Sequence, residues 1–228
     1  MKEIEYKGIK ANVREDTLDE FVVHEVFDGA YSKLNLQPDD VVVDFGLNIG
    51  MFTLYALSKG VSRVYSYEPD PDNYEVACSN LKLNEIESSR YVLNNCAVVG
   101  NDDEKRYFSI NLKKNKGAHS LVHKRGRNTI TVNCVNINDV IENIRPTVIK
   151  MDIEGGEYEC LPALKSYEGI RELILEFHHA HLNDIKTHSK YNETIELLKS
   201  KFDEVQYRED TKGAWVNTIY CKNYDKSN

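Results

Sequence analysis

The stretch VVVDFGLNIGMFTLYALSK, residues 41–59, decides the fold. Residues 41–45 are apolar but for one Asp, and β-branched at the start, as in a strand buried on both faces. Gly46 and Gly50 punctuate the turn that follows, and 51–59 reads as a helix. Outward from this unit the same alternation repeats. RVYSYE (63–68) is a strand, PDPDNYEVACSNLKLN (69–84) places Pro and Asp at a helix start, and RYVLNNCAVV (90–99) is a third strand. TVIKMDI (147–153) resumes the buried pattern, EYECLPALKSY (157–167) gives a short helix, ELILEF (172–177) a strand, and 191–201 another helix.

Alternation of this kind predicts a Rossmann-like α/β fold, a mainly parallel sheet covered on both faces. EVQYRED (204–210) and AWVNTIYC (214–221) are joined by a few residues around Thr211, Lys212 and Gly213, a link short enough only for an antiparallel pair. The expected sheet thus has seven strands and ends in an antiparallel hairpin. KRYFSI, AHSLVH and TITVNCV, within 105–135, read as a small antiparallel β insertion. One domain over 41–222 accounts for these elements, preceded by a helical or extended segment (1–40) and followed by a flexible tail (223–228). In the first segment Leu18, Phe21, Val22 and Val26 recur at helical spacing ahead of Tyr31, and predict a helix packed on the core.

The N-terminus lacks the apolar core of a secretory signal, and no run approaches the ~20 apolar residues of a membrane span, so a cytoplasmic protein without a membrane partner is expected. Five cysteines, odd in number and far apart, offer no zinc or dithiol spacing and are expected as reduced thiols. The net charge of −8 argues against a surface-wide nucleic-acid platform. Residues 105–138 nevertheless hold eight Lys or Arg and no acid.

Three constellations carry chemistry. In DFGLNIG (44–50), at the strand-to-helix turn, Gly46 and Gly50 allow close approach of a ligand to backbone amides, and Asp44 either orients the turn or receives a ligand ammonium. Gly46→Val is accordingly expected to block a ligand without unfolding the chain. Glu68 ends the next strand about twenty residues beyond the turn, where an acid accepts hydrogen bonds from the ribose hydroxyls of a nucleoside. Asn94, Asn95 and Cys96 fall where an adenine edge would lie. KMDIEGGEYECL (150–161) puts Asp152 at a strand end facing the same crevice; Glu154 and Glu157 have the alternative of simply favouring a helix N-terminus.

The succession DFGLNIG, YEPDPDNYEVACSNLKLN, NNCAVVG, VIKMDIEGGEYECL and LILEFHHAH resembles the FkbM family of S-adenosylmethionine-dependent methyltransferases over roughly residues 20–222. Asp44, Gly46, Asn48 and Gly50 match its Asp-x-Gly-x-Asn-x-Gly pattern; Lys150, Asp152, Glu154, Gly155 and Glu157 match Lys-x-Asp-x-Glu-Gly-x-Glu, with Gly156 where the family often has a small residue such as Ala. The resemblance implies a class I methyltransferase fold and methyl transfer to a hydroxyl oxygen; it does not identify the acceptor, for which a small molecule, sugar or glycan is expected. It also implies S-adenosyl-L-methionine held by Asp44, Gly46, Asn48, Gly50, Glu68, Asn95 and Asp152. Alternatives are methylation of RNA or a nucleotide, a nicotinamide-dependent oxidoreductase, and a non-catalytic nucleotide-binding module. The missing GxGxxG and the reversed hairpin count against the oxidoreductase.

His178 and Glu176, with Asp152, are the catalytic candidates, His178 as a metal-free general base. A divalent ion on Asp152, Glu176 and His178 is the competing reading, disfavoured because neighbouring strand residues point to opposite faces. In the basic segment Lys124, Arg125 and Arg127 are the candidates for gripping an anionic acceptor.

Overall fold

The computed structural model describes residues 1–110, 119–121, 128–178, 185–208 and 216–224. The chain opens with a hairpin, β1 (Lys2–Tyr6) and β2 (Ile9–Val13), turning through Lys7 and Gly8 at positive φ. Asn80 and Asn84 side chains accept the edge amides of Asn12 and Lys10, so the hairpin is tied down rather than left as an open edge. Helix α1 (Asp19–Glu25) follows. It buries Val23, and Val26 just beyond it, while Leu18 and Phe21 stay 41% and 60% exposed. The expected apolar stripe is therefore displaced, because so short a helix lies along the hairpin and covers only one side of itself.

The main sheet takes β3 (Val41–Phe45), β4 (Arg63–Tyr67), β5 (Tyr91–Asn94), β9 (Val148–Met151), β10 (Glu172–His178), β11 (Glu204–Gln206) and β12 (Val216–Lys222), in the order β11-β12-β10-β9-β3-β4-β5. Parallel pairing joins β5-β4-β3-β9-β10, and β12 runs antiparallel to both β10 and β11. The seven strands and the reversed pair are as the sequence predicts. Helices α2 (Met51–Ser58) and α3 (Pro71–Leu83) join the first strands, α4 (Ile137–Ile144) precedes β9, α5 (Glu157–Ala163) follows it, and α6 (Ile185–Lys199) precedes β11. Asp70 caps α3, accepting from the Asp72 and Asn73 amides, with Pro71 at the first helical position.

Successive strand residues feed opposite cores. Val42, Val64, Val148, Ile174 and Tyr220 meet α2, α3 and the N-terminal segment. Val43, Phe45, Ile149, Met151, Leu175 and Phe177 meet α4, α5 and α6. The chain leaves β3 toward β4 on one side and returns to β9 on the other, so a crevice opens at the carboxyl ends of β3 and β9.

One expectation is corrected. The continuous strand 90–99 breaks at Asn95 and Cys96: β5 stays in the main sheet, and β6 (Ala97–Val99) leaves it for a second sheet with β7 (Lys105–Ile110) and β8 (Asn128–Asn136). Within 105–135 the described pairings are antiparallel as expected, and β6 extends that sheet by pairing parallel to β8. AHSLVH contributes a bridge from Ser120 to Ser109. The hairpin link around Thr211 and residues 225–228 of the expected tail lie outside the described residues.

Candidate active site

At the turn after β3, the glycines serve backbone packing. A Cβ on Gly46 would stand 1.8 Å from the carbonyl oxygen of Asp152, and φ there is +90°. One on Gly50, at φ +88°, would meet Leu81 and Ala77 of α3 at 3.1 and 3.3 Å. A Gly46 substitution therefore disrupts the junction of β3 and β9 itself, and the expectation of lost binding in an intact fold is withdrawn. Asp44 is fully buried and faces protein: Thr53 Oγ1 donates to it at 2.8 Å, and Lys150 Nζ lies 3.1 Å away. It supports the turn from beneath. Lys150 also donates to the Gly46 carbonyl at 2.6 Å. Burial lowers the Lys150 ammonium's affinity for its proton, but Asp44 and Asp152 outweigh this and keep it charged.

Beside this turn lies a cleft lined by Gly46, Tyr67, Glu68, Val98, Phe108, Leu121 and others. Glu68 is 5% exposed. Its two carboxylate oxygens accept one amide each, from Asn48 at 2.8 Å and Asp70 at 2.9 Å, so each keeps a lone pair for a further donor. Burial pushes its pKa up to about 7, against the pull of those amides. Asn95 donates to the Glu68 carbonyl at 2.8 Å and so holds the loop; Cys96, Ala97 and Val98 supply the wall.

The insertion closes the other side. His119 Nε2 lies 3.0 Å from Asp70 Oδ2, both side chains buried, and Ser120 Oγ donates to the Glu154 carbonyl at 2.6 Å. Residues 119–121 thus span from the loop after β4 to the loop after β9. Lys124, Arg125 and Arg127 lie outside the described residues. Arg106, within the same basic stretch, is held by Glu159 at 2.6 and 2.7 Å and by Asp103 at 2.9 Å, so its charge is committed to the fold.

Past the cleft, carboxylates converge at the ends of β9 and β10. His178 Nε2 stands 3.7 Å from Asp152 Oδ1 and 3.6 Å from Glu154 Oε2, and its Nδ1 is 3.2 Å from Glu157 Oε1. Glu157 is fully buried and accepts the amides of Ile153 at 3.0 Å and Gly155 at 2.8 Å. Burial pulls the His178 pKa down, but Glu157, Glu154 and Asp152 outweigh it and hold it well above the ordinary value. An imidazole so surrounded keeps its proton, which opposes its expected role as a neutral base. Asp152 and then burial push Glu176 up to about 8. Glu25, from α1, is raised by burial and by Asp152, and burial with the charges of Asp152 and Glu176 holds the Tyr31 phenol well above its ordinary range.

The structure thus joins Asp152, Glu176 and His178 in one cluster, and Gly46, Asn48 and Glu68 around the cleft, while Asp44, Gly50 and Asn95 act from behind. Glu25 and Tyr31 were missed, since nothing in a short N-terminal helix announces which carboxylate will face a distant strand end. His119 and Ser120 were read only as strand residues. His179 and His181 lie outside the described residues. No helix among the described residues is long and apolar enough to cross a membrane.

Residues 44–208 match the methyltransferase FkbM domain. Methyltransferase sdnD of Sordaria araneosa is 28% identical over 192 residues, covering 69% of this chain and 74% of that protein. The hexuronic acid methyltransferase AglP of Haloferax volcanii is 24% identical over 149 residues, covering 62% of this chain and 57% of that protein. The crystal structure of methyltransferase FkbM from Methylobacillus flagellatus KT aligns at 21% identity with a TM-score of 0.53, over 84% of this chain and 45% of that one, so this chain spans less than half of its length. With the reversed last strand of the sheet and a match that runs through most of its length, the chain has the class I methyltransferase fold and belongs to the FkbM methyltransferase family.

Proposed function

We propose that this chain transfers a methyl group from S-adenosylmethionine to a hydroxyl oxygen of a small-molecule, sugar or glycan acceptor. The observation that carries the reading is Glu68: a buried carboxylate in an apolar cleft, with one free lone pair on each oxygen, matches the vicinal hydroxyls of a ribose. Tyr67, Val98, Phe108 and Leu121 supply the apolar slot for a base. Asn48 Oδ1 is buried with no hydrogen-bond partner among the described residues, and leaves an acceptor at the turn for an ammonium group.

S-Adenosylmethionine supplies a methyl carbon on a positively charged sulfur, which keeps the electron pair of the carbon–sulfur bond when an acceptor oxygen takes the methyl group. The protein's own task is alignment, exclusion of water and removal of the hydroxyl proton. Glu176, beside Asp152 and free of hydrogen bonds among the described residues, is the group we assign to take that proton, in the ionised form that becomes the major one as pH rises through about 8. Asp152 and Glu154 line the cofactor cleft and also belong to the carboxylate cluster, so an acceptor hydroxyl held there would lie next to the methyl donor. Lys124, Arg125 and Arg127 are the groups for an anionic acceptor, a class that a relative named for hexuronic acid also supports.

The test is incubation with S-adenosylmethionine labelled in its methyl carbon and a panel of polyols, uronic acids and nucleosides. Label in an ether methyl, with an equal yield of S-adenosylhomocysteine, is expected. Label found only on nitrogen or carbon, or none with every acceptor, would refute the reading.

A further inference from the structure

Asp152, Glu154 and His178 each offer one ligand atom, and these atoms lie within 4.8 Å of one another. Glu157, bound by two backbone amides, can only accept, so the proton shared with His178 sits on Nδ1. This directs Nε2 between Asp152 and Glu154. A divalent ion entering between the two carboxylates displaces the Nε2 proton to solvent, and the neutral ring then turns its Nε2 lone pair to the cation. The separations of 3.6 and 3.7 Å are too long for a hydrogen bond from an imidazolium. They are close to the ~3.0–3.6 Å that separates ligands bonded to one divalent ion at about 2.1–2.2 Å. The three side chains are 15–30% exposed, enough for an ion to enter and retain open positions. A carboxylate fixing the far nitrogen of a ligating histidine is a recurrent support of metal sites.

We propose that Asp152, Glu154 and His178 bind one divalent cation at the ends of β9 and β10, and that this ion holds the acceptor oxygen. The ligand set combines one imidazole with two carboxylates, which suits manganese, iron(II) or zinc better than calcium. Glu154 takes the place the sequence had suggested for Glu176, because the turn after β9 brings it round to Nε2 while Glu176 stays free of the ion. An acceptor hydroxyl on an open position loses its proton more readily, and Glu176 remains to receive it. Glu157 is a positioning residue, acting through the imidazole.

The catalytic half of this inference rests on the methyltransferase reading, so the test separates them. The chelator-stripped full chain is titrated with Mn²⁺, followed by electron paramagnetic resonance of the free ion, and separately with S-adenosylhomocysteine by calorimetry. Wild type is expected to bind one Mn²⁺ per chain. Glu154→Gln and His178→Ala should each weaken it tenfold or more, and Glu157→Gln about tenfold. Glu68→Gln should weaken S-adenosylhomocysteine and leave Mn²⁺ affinity unchanged. Circular dichroism and melting identify any variant that fails to fold, and Glu154→Gln, nearly isosteric at a partly exposed site, keeps the test decisive. Absence of stoichiometric Mn²⁺ binding, or binding indifferent to Glu154→Gln and His178→Ala, overturns the site. Methyl transfer undiminished by chelator overturns the ion's hold on the acceptor while leaving the methyltransferase reading intact.

Discussion

Glu68→Gln tests the cofactor cleft at its floor. In the ligand-free protein burial holds Glu68 at about 7, against a usual value of 4.5. That displacement corresponds to about 3 kcal/mol between the two protonation states. A folded-state pKa above the unfolded one stabilises the fold below about 4.5, and that contribution is lost as pH rises through about 7. A ribose diol donates to the carboxylate, so binding requires the ionised form and competes with the proton. With a pKa of about 7, roughly a tenth of the groups are ionised at pH 6 and nine-tenths at pH 8. The Kd of S-adenosylhomocysteine should therefore fall about tenfold between those pH values. Glu68→Gln should weaken binding by about 1–3 kcal/mol at pH 8 and abolish that slope. Isothermal titration calorimetry at pH 6, 7 and 8 on both proteins gives the comparison; other titrating groups cancel in the difference. A flat wild-type Kd, or a variant that keeps the tenfold slope, refutes the assignment.

Gly46→Ala should lower stability by about 3 kcal/mol or more, as a Cβ meets the Asp152 carbonyl at 1.8 Å with φ at +90°; an unchanged denaturant midpoint would contradict that close approach. Glu176→Gln should reduce kcat by about 10²-fold or more while S-adenosylhomocysteine affinity stays within about twofold, and steady-state kinetics with calorimetry separate the two. Reversing the charges of Lys124, Arg125 and Arg127 should raise KM for a uronic acid or sugar phosphate and reduce its salt dependence. A KM unmoved by either charge or salt would remove these residues from acceptor binding.

The strands around the crevice were legible because a parallel sheet buried on both faces writes β-branched runs into β3 and β9, followed by turns rich in Gly, Asn and Asp. Their spacing brought Glu68 and Asp152 to the right ends of the right strands. The break at Asn95 had a signal in the Asn94-Asn95 pair between two apolar runs, but the change of partner strand from β4 to β8 had none. The Lys7–Gly8 turn carried a hairpin signal that the charged N-terminus obscured. At the site, Glu157 stood in the sequence as a helix-start acid; only the fold shows its carboxylate turned back onto the Ile153 and Gly155 amides and across to His178. Convergence of this kind depends on loop trajectories, which have no period along the chain.

The span from His119 to Leu121 has a kinetic consequence. Its contacts with Asp70 and with the Glu154 carbonyl fasten both rims of the cleft. On the proposed methyltransferase reading, a nucleoside product leaving by that face would first unfasten them, and the same event would free the backbone that carries Glu154. Departure of the spent donor and slackening of the proposed acceptor cluster would then be a single step.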